Sequence, residues 1–490
     1  MRLSDLIGES GIVGLKKDPD IAGLTADSRA IEPGYLFAAL PGATFDGRNF
    51  IADALARGAA AVLAPAGTRL PKTAAGVPLI PVENPRHALS LFAARFHDGQ
   101  PRIAAAVTGT NGKTSVAWFT RRIWAGLGHR PAAMGTLGMT ADDVEGNFSS
   151  GLTTADPVAL HQDLRRLSDA GVDHVVIEAS SHGLEQARLD GVKFAAAAFT
   201  NLTRDHLDHH GTMDAYRAAK LRLFDTVLPE TATAVLNSDS DEFALFSSVA
   251  HARGLRVIGY GRTTDDIRIE SVESVREGQK ISLSLFGKPR EVVLPLPGVF
   301  QARNALCALG LAVACGDDAD DALALLATLD SPPGRMELAG KRANGATVYI
   351  DYAHTPDALS TVLGALRPHT AGRLVVAFGC GGDRDAGKRP EMGSIARDLA
   401  DLTVVTDDNP RSETPATIRA EILAACPDAT VIGDRAEAIH HAISTLGPAD
   451  TLVIAGKGHE TGQVVGSRVD PFDDAAVARA AIAALDGRGT

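Results

Sequence analysis

Apolar and polar positions follow two periods along this chain, and the points where one gives way to the other outline its organisation. Short apolar runs at Tyr35 to Leu40 and Ala59 to Ala64 sit among turn signals such as Pro41-Gly42 and Asp46-Gly47, and a helical spacing follows over Arg86 to Phe96. His97-Asp98-Gly99-Gln100-Pro101 breaks that helix and places a boundary near residue 98. Beyond it, Ile103 to Val107, His174 to Ile177, Ala195 to Phe199 and Ala234 to Leu236 read as buried strands separated by helical stretches, the pattern of a doubly wound α/β sheet. The period changes within 255–297, where Ile267 to Val275 and Lys280 to Phe286 alternate and predict a small β insertion. Ser331-Pro332-Pro333-Gly334 forms a second linker, after which Thr347 to Ile350, Leu374 to Phe378, Leu402 to Val405 and Thr451 to Ile454 again alternate with helices. The pattern predicts three α/β domains over 1–98, 99–331 and 332–490.

Composition narrows the function classes. At 490 residues, 45% hydrophobic and 22% charged, the chain is globular and too long for one core. A formal charge of −12 argues against a nucleic-acid binder, although a few arginines in a cleft can still take a polyanionic small molecule. The four cysteines, Cys307, Cys315, Cys380 and Cys426, form no C-x-x-C pair and read as buried thiols of a reducing cytoplasm. The opening residues lack a basic segment followed by an apolar one, and no run approaches the roughly 18 apolar residues of a membrane span. A cytoplasmic monomer without membrane insertion is expected.

The chemistry centres on Thr108-Gly109-Thr110-Asn111-Gly112-Lys113-Thr114-Ser115. An apolar strand precedes this stretch, and a helical pattern over Val116 to Leu127 follows, so backbone amides and a helix N-terminus can face phosphates. Lys113 supplies a cation and Thr114 a hydroxyl for magnesium. The stretch departs from the common P-loop, since the position of its first glycine is Val107. Glu178 ends the strand before Ala179-Ser180-Ser181-His182-Gly183 and suits a magnesium carboxylate, the alternative being a helix cap. Three histidines fall within His206-Leu207-Asp208-His209-His210. Zinc is disfavoured there, because no thiolate pair or second histidine pair accompanies them. His206 is the choice for a metal or phosphate contact, with His209 and His210 as solvated loop residues. Lys220, in Tyr216-Arg217-Ala218-Ala219-Lys220, reads by itself as a surface cation.

Together with PGRME at 333–337, DYAHTPDAL at 351–359, GCGGDRDAGKRP at 379–390, DDNPRSE at 407–413 and GKGHE at 456–460, these segments closely resemble the Mur ligases over all three expected domains. The resemblance implies a uridine-binding N-terminal domain, a central ATPase domain and a Rossmann-like C-terminal domain that takes an amino acid. It implies ATP and Mg2+ as cofactors, with Thr110, Asn111, Gly112, Lys113, Thr114, Ser115, Asn304, Arg335, Asp351 and His354 holding the nucleotide. The Lys220 position is carbamylated in this family, which would turn a cation into a metal-binding carboxylate beside Thr114, Glu178 and His206. Lys113, Lys220 and His206 are the implied catalytic residues. Alternatives stay open at Arg335, a linker salt bridge, and at His354, a structural turn.

For substrates, the resemblance implies UDP-N-acetylmuramoyl-L-alanyl-D-glutamate, contacted by Ser28, the Thr44 to Arg48 loop, Thr153, Thr154, Ser180, Gln186 and Arg188. It implies meso-diaminopimelate as the incoming amino acid, met by Arg384, Asp408, Asn409, Pro410, Arg411, Gly456 and Glu460. An arginine in Asp-Asn-Pro-Arg can pair bidentately with the far carboxylate of diaminopimelate and is wasted on lysine, whose far end is an ammonium. An Asn-Pro turn accounts for Pro410 but does not require Arg411. Lysine addition is the first alternative, a folylpolyglutamate synthase the second, and an ATP-driven conformational switch the reading from another class.

Overall fold

Residues 1–8, 17–42, 45–74, 76–142, 144, 151–275 and 278–487 are described by the computed structural model of the chain. Thr44 therefore lies outside the described residues. Strands β1 (Gly23–Thr25), β2 (Tyr35–Ala38), β3 (Ala61–Pro65) and β4 (Leu79–Val82) form a parallel sheet in that order. The helix Pro85–His97 starts where the Asn84 side chain accepts from the His87 amide, with Pro85 in the first turn, where a proline nitrogen costs no helical bond. Its Leu89, Phe92 and Ala93 join Leu36, Leu63 and Ile80 in a core separate from that of the next sheet.

That next sheet, of ten strands, includes β5 (Ile103–Thr108), β6 (Pro131–Gly135), β7 (Gly138–Ala141), β8 (His174–Glu178), β9 (Ala196–Phe199), β10 (Thr233–Asn237) and β11 (Arg256–Gly261). These lie in the order β11-β10-β9-β5-β8-β6-β7, parallel throughout except for the β6–β7 pair. The central strand β5 thus has β8 on one side and β9 on the other. Ligands in open α/β sheets collect at the carboxyl ends of strands where the chain order reverses, and the glycine loop leaves β5 at that point.

Strands β12 (Ile267–Val275), β13 (Gly278–Leu285) and β14 (Lys288–Leu294) make up the β insertion, with β13 and β14 antiparallel. The last large sheet has β15 (Glu337–Lys341), β16 (Thr347–Asp351), β17 (Leu374–Phe378), β18 (Leu402–Val405), β19 (Thr430–Val431) and β20 (Thr451–Ala455) in the order β15-β16-β20-β17-β18-β19. Only β15 runs antiparallel to its neighbour. A hairpin of β21 (Gly462–Val465) and β22 (Arg468–Pro471) follows.

The chain groups into two compact units, Met1–Ile267 with Cys307–Ala322, and Arg268–Leu306 with Leu323–Thr490. Most of the β insertion falls in the second of these units. Just after the insertion, Phe300 packs against the Leu359, Leu363 and Met392 core, and a Cβ on Gly298 would lie 2.7 Å from Ala365 Cβ. Three of the cysteines are buried and Cys315 is half-buried, all as free thiols. Among the described residues, no helix is long and apolar enough to cross a membrane.

Candidate active site

In the first unit the glycine loop is pinned from the β9 side. The Thr110 amide donates to the Asn201 carbonyl at 2.9 Å, the Asn111 amide to Asn201 Oδ1 at 2.9 Å, and the Thr200 hydroxyl to the Asn111 carbonyl at 2.6 Å. Two glycines are required by geometry. Gly112 takes φ +90° as the residue before the helix Lys113–Gly126, and a Cβ on Gly109 would come within 1.8 Å of Thr200 Oγ1. The helix begins at Lys113, earlier than its apolar pattern indicates, which brings Lys113, Thr114 and Ser115 into the first turn. Lys113 Nζ donates to the carbonyls of Gly109 and Thr110 at 2.9 and 2.8 Å.

From the β8 side comes Glu178, paired in register with Val107 and 2% exposed. It caps no helix. Its carboxylate accepts from Thr114 Oγ1 at 3.1 Å and from the Thr136 amide and hydroxyl at 2.9 and 3.1 Å. The cap of the next helix, Ser181–Glu185, is Ser180, whose hydroxyl accepts from the Gly183 amide.

Lys220 is not the surface cation that its residue type suggests. It is 1% exposed on the helix Met213–Arg222, where Nζ donates to the Gly109 carbonyl at 2.8 Å and lies 4.4 Å from the centre of the Tyr216 ring. Burial, reinforced by the nearby Lys113 charge, pushes its pKa well below the usual lysine value. The Tyr216 hydroxyl in turn lies 3.1 Å from Thr110 Oγ1. His206 takes φ +51° and is held by burial below the usual histidine value.

The reading of His210 as a solvated residue is corrected. Its side chain is 1% exposed, with Nε2 2.9 Å from Ser181 Oγ. The fold also brings in His182, whose ring centre lies 4.0 Å from that of His209 and 5.0 Å from that of His206. Burial, then the neighbouring histidines, lower the His182 pKa to about 4.

Five of the muramoyl candidates converge nearby. Thr154 Oγ1 donates to the Glu178 carbonyl at 2.8 Å and lies 3.0 Å from Ser180 Oγ, while Thr153 Oγ1 lies 3.1 Å from Thr136 Oγ1. Arg188 donates to the Thr154 carbonyl at 2.6 Å and to Gln186 Oε1 at 2.9 Å. Ser28 opens the turn Ser28–Ala30 in the first sheet, and no hydrogen bond among the described residues ties it to this set.

In the second unit most of the remaining candidates lie at the carboxyl ends of adjacent parallel strands, with Asn304 on the helix Val299–Ala314 and Arg335 just before β15. Asp351 ends β16 and His354 follows it, Gly456 and Glu460 follow β20, Arg384 follows β17, and Asp408 to Arg411 follow β18. Asp351 accepts from the Met336 and Ala353 amides at 2.7 and 2.8 Å, and burial raises its pKa to about 6. No salt bridge engages Arg335 among the described residues; its guanidinium stacks 4.3 Å from the centre of the Tyr352 ring and its Nε is buried without a hydrogen-bond partner. His354 makes a local turn contact, Nδ1 to the Tyr352 carbonyl at 2.9 Å. Asn304 Nδ2 donates to Gln301 Oε1 at 3.1 Å. Arg411 takes φ +49°, its backbone N–H donating a hydrogen bond to the Val464 carbonyl, and its side chain donates to the Gly382 carbonyl at 2.8 Å. Glu460 accepts from Asn409 Nδ2 at 2.8 Å, and a Cβ on Gly456 would lie 2.6 Å from Asp408 Oδ2.

Three family models match in sequence order. The one described as the Mur ligase family, catalytic domain, covers 20–97; the Mur ligase middle domain covers 107–312; the Mur ligase, glutamate ligase domain, covers 334–458. A Caulobacter vibrioides protein named UDP-N-acetylmuramoyl-L-alanyl-D-glutamate–2,6-diaminopimelate ligase is 50% identical over 489 residues, 99% of each chain. One of the same name from Mesorhizobium japonicum is 51% identical, covering 98% of this chain and 99% of its own. The chain belongs to the Mur ligase family. A solved structure of a ligase with that same name aligns at 34% identity over 96% of both chains with a TM-score of 0.70, and the three-domain Mur ligase fold is shared.

Some residues of this Mur ligase's site escaped the pattern reading. Thr136 carries two of the bonds to Glu178, and its only signal was its place after the β6 strand. Lys457, fully buried, joins Asn409 Oδ1 at 3.0 Å, Glu460 Oε2 at 3.3 Å and the Gly462 carbonyl at 2.5 Å, thereby tying the loops after β18 and β20 together. A lysine between two glycines after a buried strand was the available cue.

Proposed function

We propose that this Mur ligase forms an amide between the D-glutamyl γ-carboxylate of UDP-N-acetylmuramoyl-L-alanyl-D-glutamate and an amine of meso-diaminopimelate, converting ATP to ADP and phosphate. The observation that carries the reading is Asp408-Asn409-Pro410-Arg411 at the carboxyl end of β18, in a chain 50% identical throughout to a ligase named for that amino acid. The γ-phosphoryl group passes to the carboxylate, and the amine then displaces phosphate from the acyl phosphate and loses a proton. No enzyme nucleophile is needed, so the protein's contribution is positioning and charge stabilisation.

Within that scheme the loop amides and Lys113 hold the ATP phosphates, and Asn304, Arg335, Asp351 and His354 contact the rest of the nucleotide. Arg335 is suited to this by its unpartnered Nε. The chain also suits Mg2+: Thr114 Oγ1 and Glu178 Oε2 are hard oxygen donors 3.1 Å apart, and His206 and Lys220 are the other proposed holders. Buried and biased toward the neutral amine, Lys220 can add carbon dioxide to become a carbamate, releasing a proton. A bound Mg2+ supplies charge neutralisation at the phosphoryl oxygens. Ser28, Thr153, Thr154, Ser180, Gln186 and Arg188 are proposed to bind the muramoyl dipeptide, with Arg188 as the fork for its anionic groups. Arg384, Asp408, Asn409, Pro410, Arg411, Gly456 and Glu460 are proposed to bind diaminopimelate. The domains are proposed at 1–98, 99–331 and 332–490, in a cytoplasmic monomer with no nucleic-acid partner.

Phosphate release from ATP, measured with the muramoyl dipeptide and each amino acid in turn, tests the reading. Release that needs both the dipeptide and meso-diaminopimelate is expected; release supported equally by L-lysine overturns the specificity, and release needing neither overturns the ligase.

A further inference from the structure

We propose that His182, His209 and His210, with Glu185, form a site for a d-block divalent cation of the zinc class, distinct from the magnesium position at Thr114 and Glu178. Two short helices meet here, Ser181–Glu185 and Leu207–His210. Each histidine offers one ring nitrogen, and the three nitrogens lie within 4.8 Å of one another. A tetrahedral zinc with bonds of about 2.1 Å places its donors about 3.4 Å apart. Small ring rotations close that difference, and the 34% exposure of the His209 side chain leaves room for them.

The surroundings favour coordination over an incidental cluster. Ser181 Oγ holds His210 Nε2 at 2.9 Å and so leaves Nδ1 as its ligating atom, the outer contact that fixes ring orientation in metal sites. Glu185 Oε2 lies 3.7 Å from that Nδ1 and 2.7 Å from His209 Nε2, which places an anionic oxygen between two imidazoles, where a cation gains a fourth donor and charge balance. Imidazole nitrogen suits zinc, cobalt, nickel and copper, whereas Mg2+ prefers oxygen, so a set of three imidazoles differs in ligand chemistry from the magnesium position, where His206 is the single proposed imidazole among oxygen donors. Near neighbours in the chain gave no hint of this, since His182 precedes His209 by a whole strand and its connections.

Cobalt(II) is the probe, added to metal-free full-length protein in the presence of saturating Mg2+, with visible absorption reporting tetrahedral coordination and zinc titrated in competition. One equivalent of Co2+ giving an intense tetrahedral spectrum, displaced by Zn2+, is expected. His209→Gln should weaken binding by about tenfold or more, as loss of a ligand does, and Glu185→Gln should weaken it too. Glu178→Gln should leave it intact. Absence of the spectrum, or its loss in Glu178→Gln but not in His209→Gln, overturns the proposal. Unaltered circular dichroism of the exposed His209→Gln variant keeps a folding defect from imitating the expected result.

Discussion

A buried lysine has two ways to lower its cost: it can shed its proton, or it can become something else. Lys220 faces one backbone carbonyl and a tyrosine ring with another lysine nearby, so burial favours the neutral amine, and that amine is the species that captures carbon dioxide. Lys220→Arg keeps a long basic side chain but, as a guanidinium that stays protonated, removes this chemistry. It should lower kcat by about a hundredfold or more, the scale for loss of a charge-stabilising group, and should lack the carbamate NMR signal expected of the wild type with isotopically labelled bicarbonate. Full activity in Lys220→Arg sinks the idea. Asp351 tests burial by another route. Its folded pKa, about 6, lies above the usual 3.8, so it favours folding while protonated, and that contribution is lost as pH rises from about 4 through about 6. Denaturant titrations of wild type and Asp351→Asn should therefore show the wild type losing ground to the variant by up to a few kcal/mol across that window, while a difference independent of pH counts against the raised value.

At the scale of elements, the helices Arg435–Ser444 and Asp474–Leu485 are joined by an ion pair with both side chains fully buried, Arg435 Nε and Nη2 each donating to an Asp474 oxygen at 2.7 Å. Removing one partner leaves the other charged and dry, so Arg435→Leu should cost about 3–5 kcal/mol in urea unfolding. Arg435→Leu with Asp474→Leu should cost much less, and equal losses for single and double variants would falsify this account. Neither charge was singled out from the sequence, because a helix pattern gives periodicity and not the partner across an interface. The same limit decides what else was legible. Parallel strands such as β17 and β20 are apolar on both faces and announce themselves as runs, and with them come the loops at their carboxyl ends. β14, reading Lys288-Pro289-Arg290-Glu291 before its valines, and the exposed β21–β22 hairpin carry no such run. Glu178 was readable as the polar end of an apolar strand, whereas burial of Lys220 and His210 depends on which face of a short helix the rest of the fold covers.

For the molecule as a whole, a net charge of −12 must coexist with substrates that are themselves anionic, so binding has to come from a few placed cations and not from the average field. The groups proposed to act on the transferring phosphoryl lie in the first unit, and those proposed for the amino acid lie in the second with the nucleotide contacts Asn304, Arg335, Asp351 and His354, so the two functions are separable only by substituting different side chains. Arg411 is the sharpest case. Its left-handed backbone is held on both sides by the β21–β22 hairpin, the amide donating to Val464 and the carbonyl accepting from the Gly466 amide at 2.7 Å, so the guanidinium is aimed at a fixed place. A carboxylate met there loses a charge-assisted pair when the arginine goes, and Arg411→Ala should lower kcat/KM for meso-diaminopimelate by about a hundredfold. The poor use of L-lysine should change little, since lysine has no far carboxylate to lose, and KM for ATP should stay within about twofold, as expected for independent sites. Phosphate-release kinetics with both amino acids over a range of ATP supply all three quantities. Equal losses for diaminopimelate and lysine would mean that Arg411 supports the loop and does not choose the substrate.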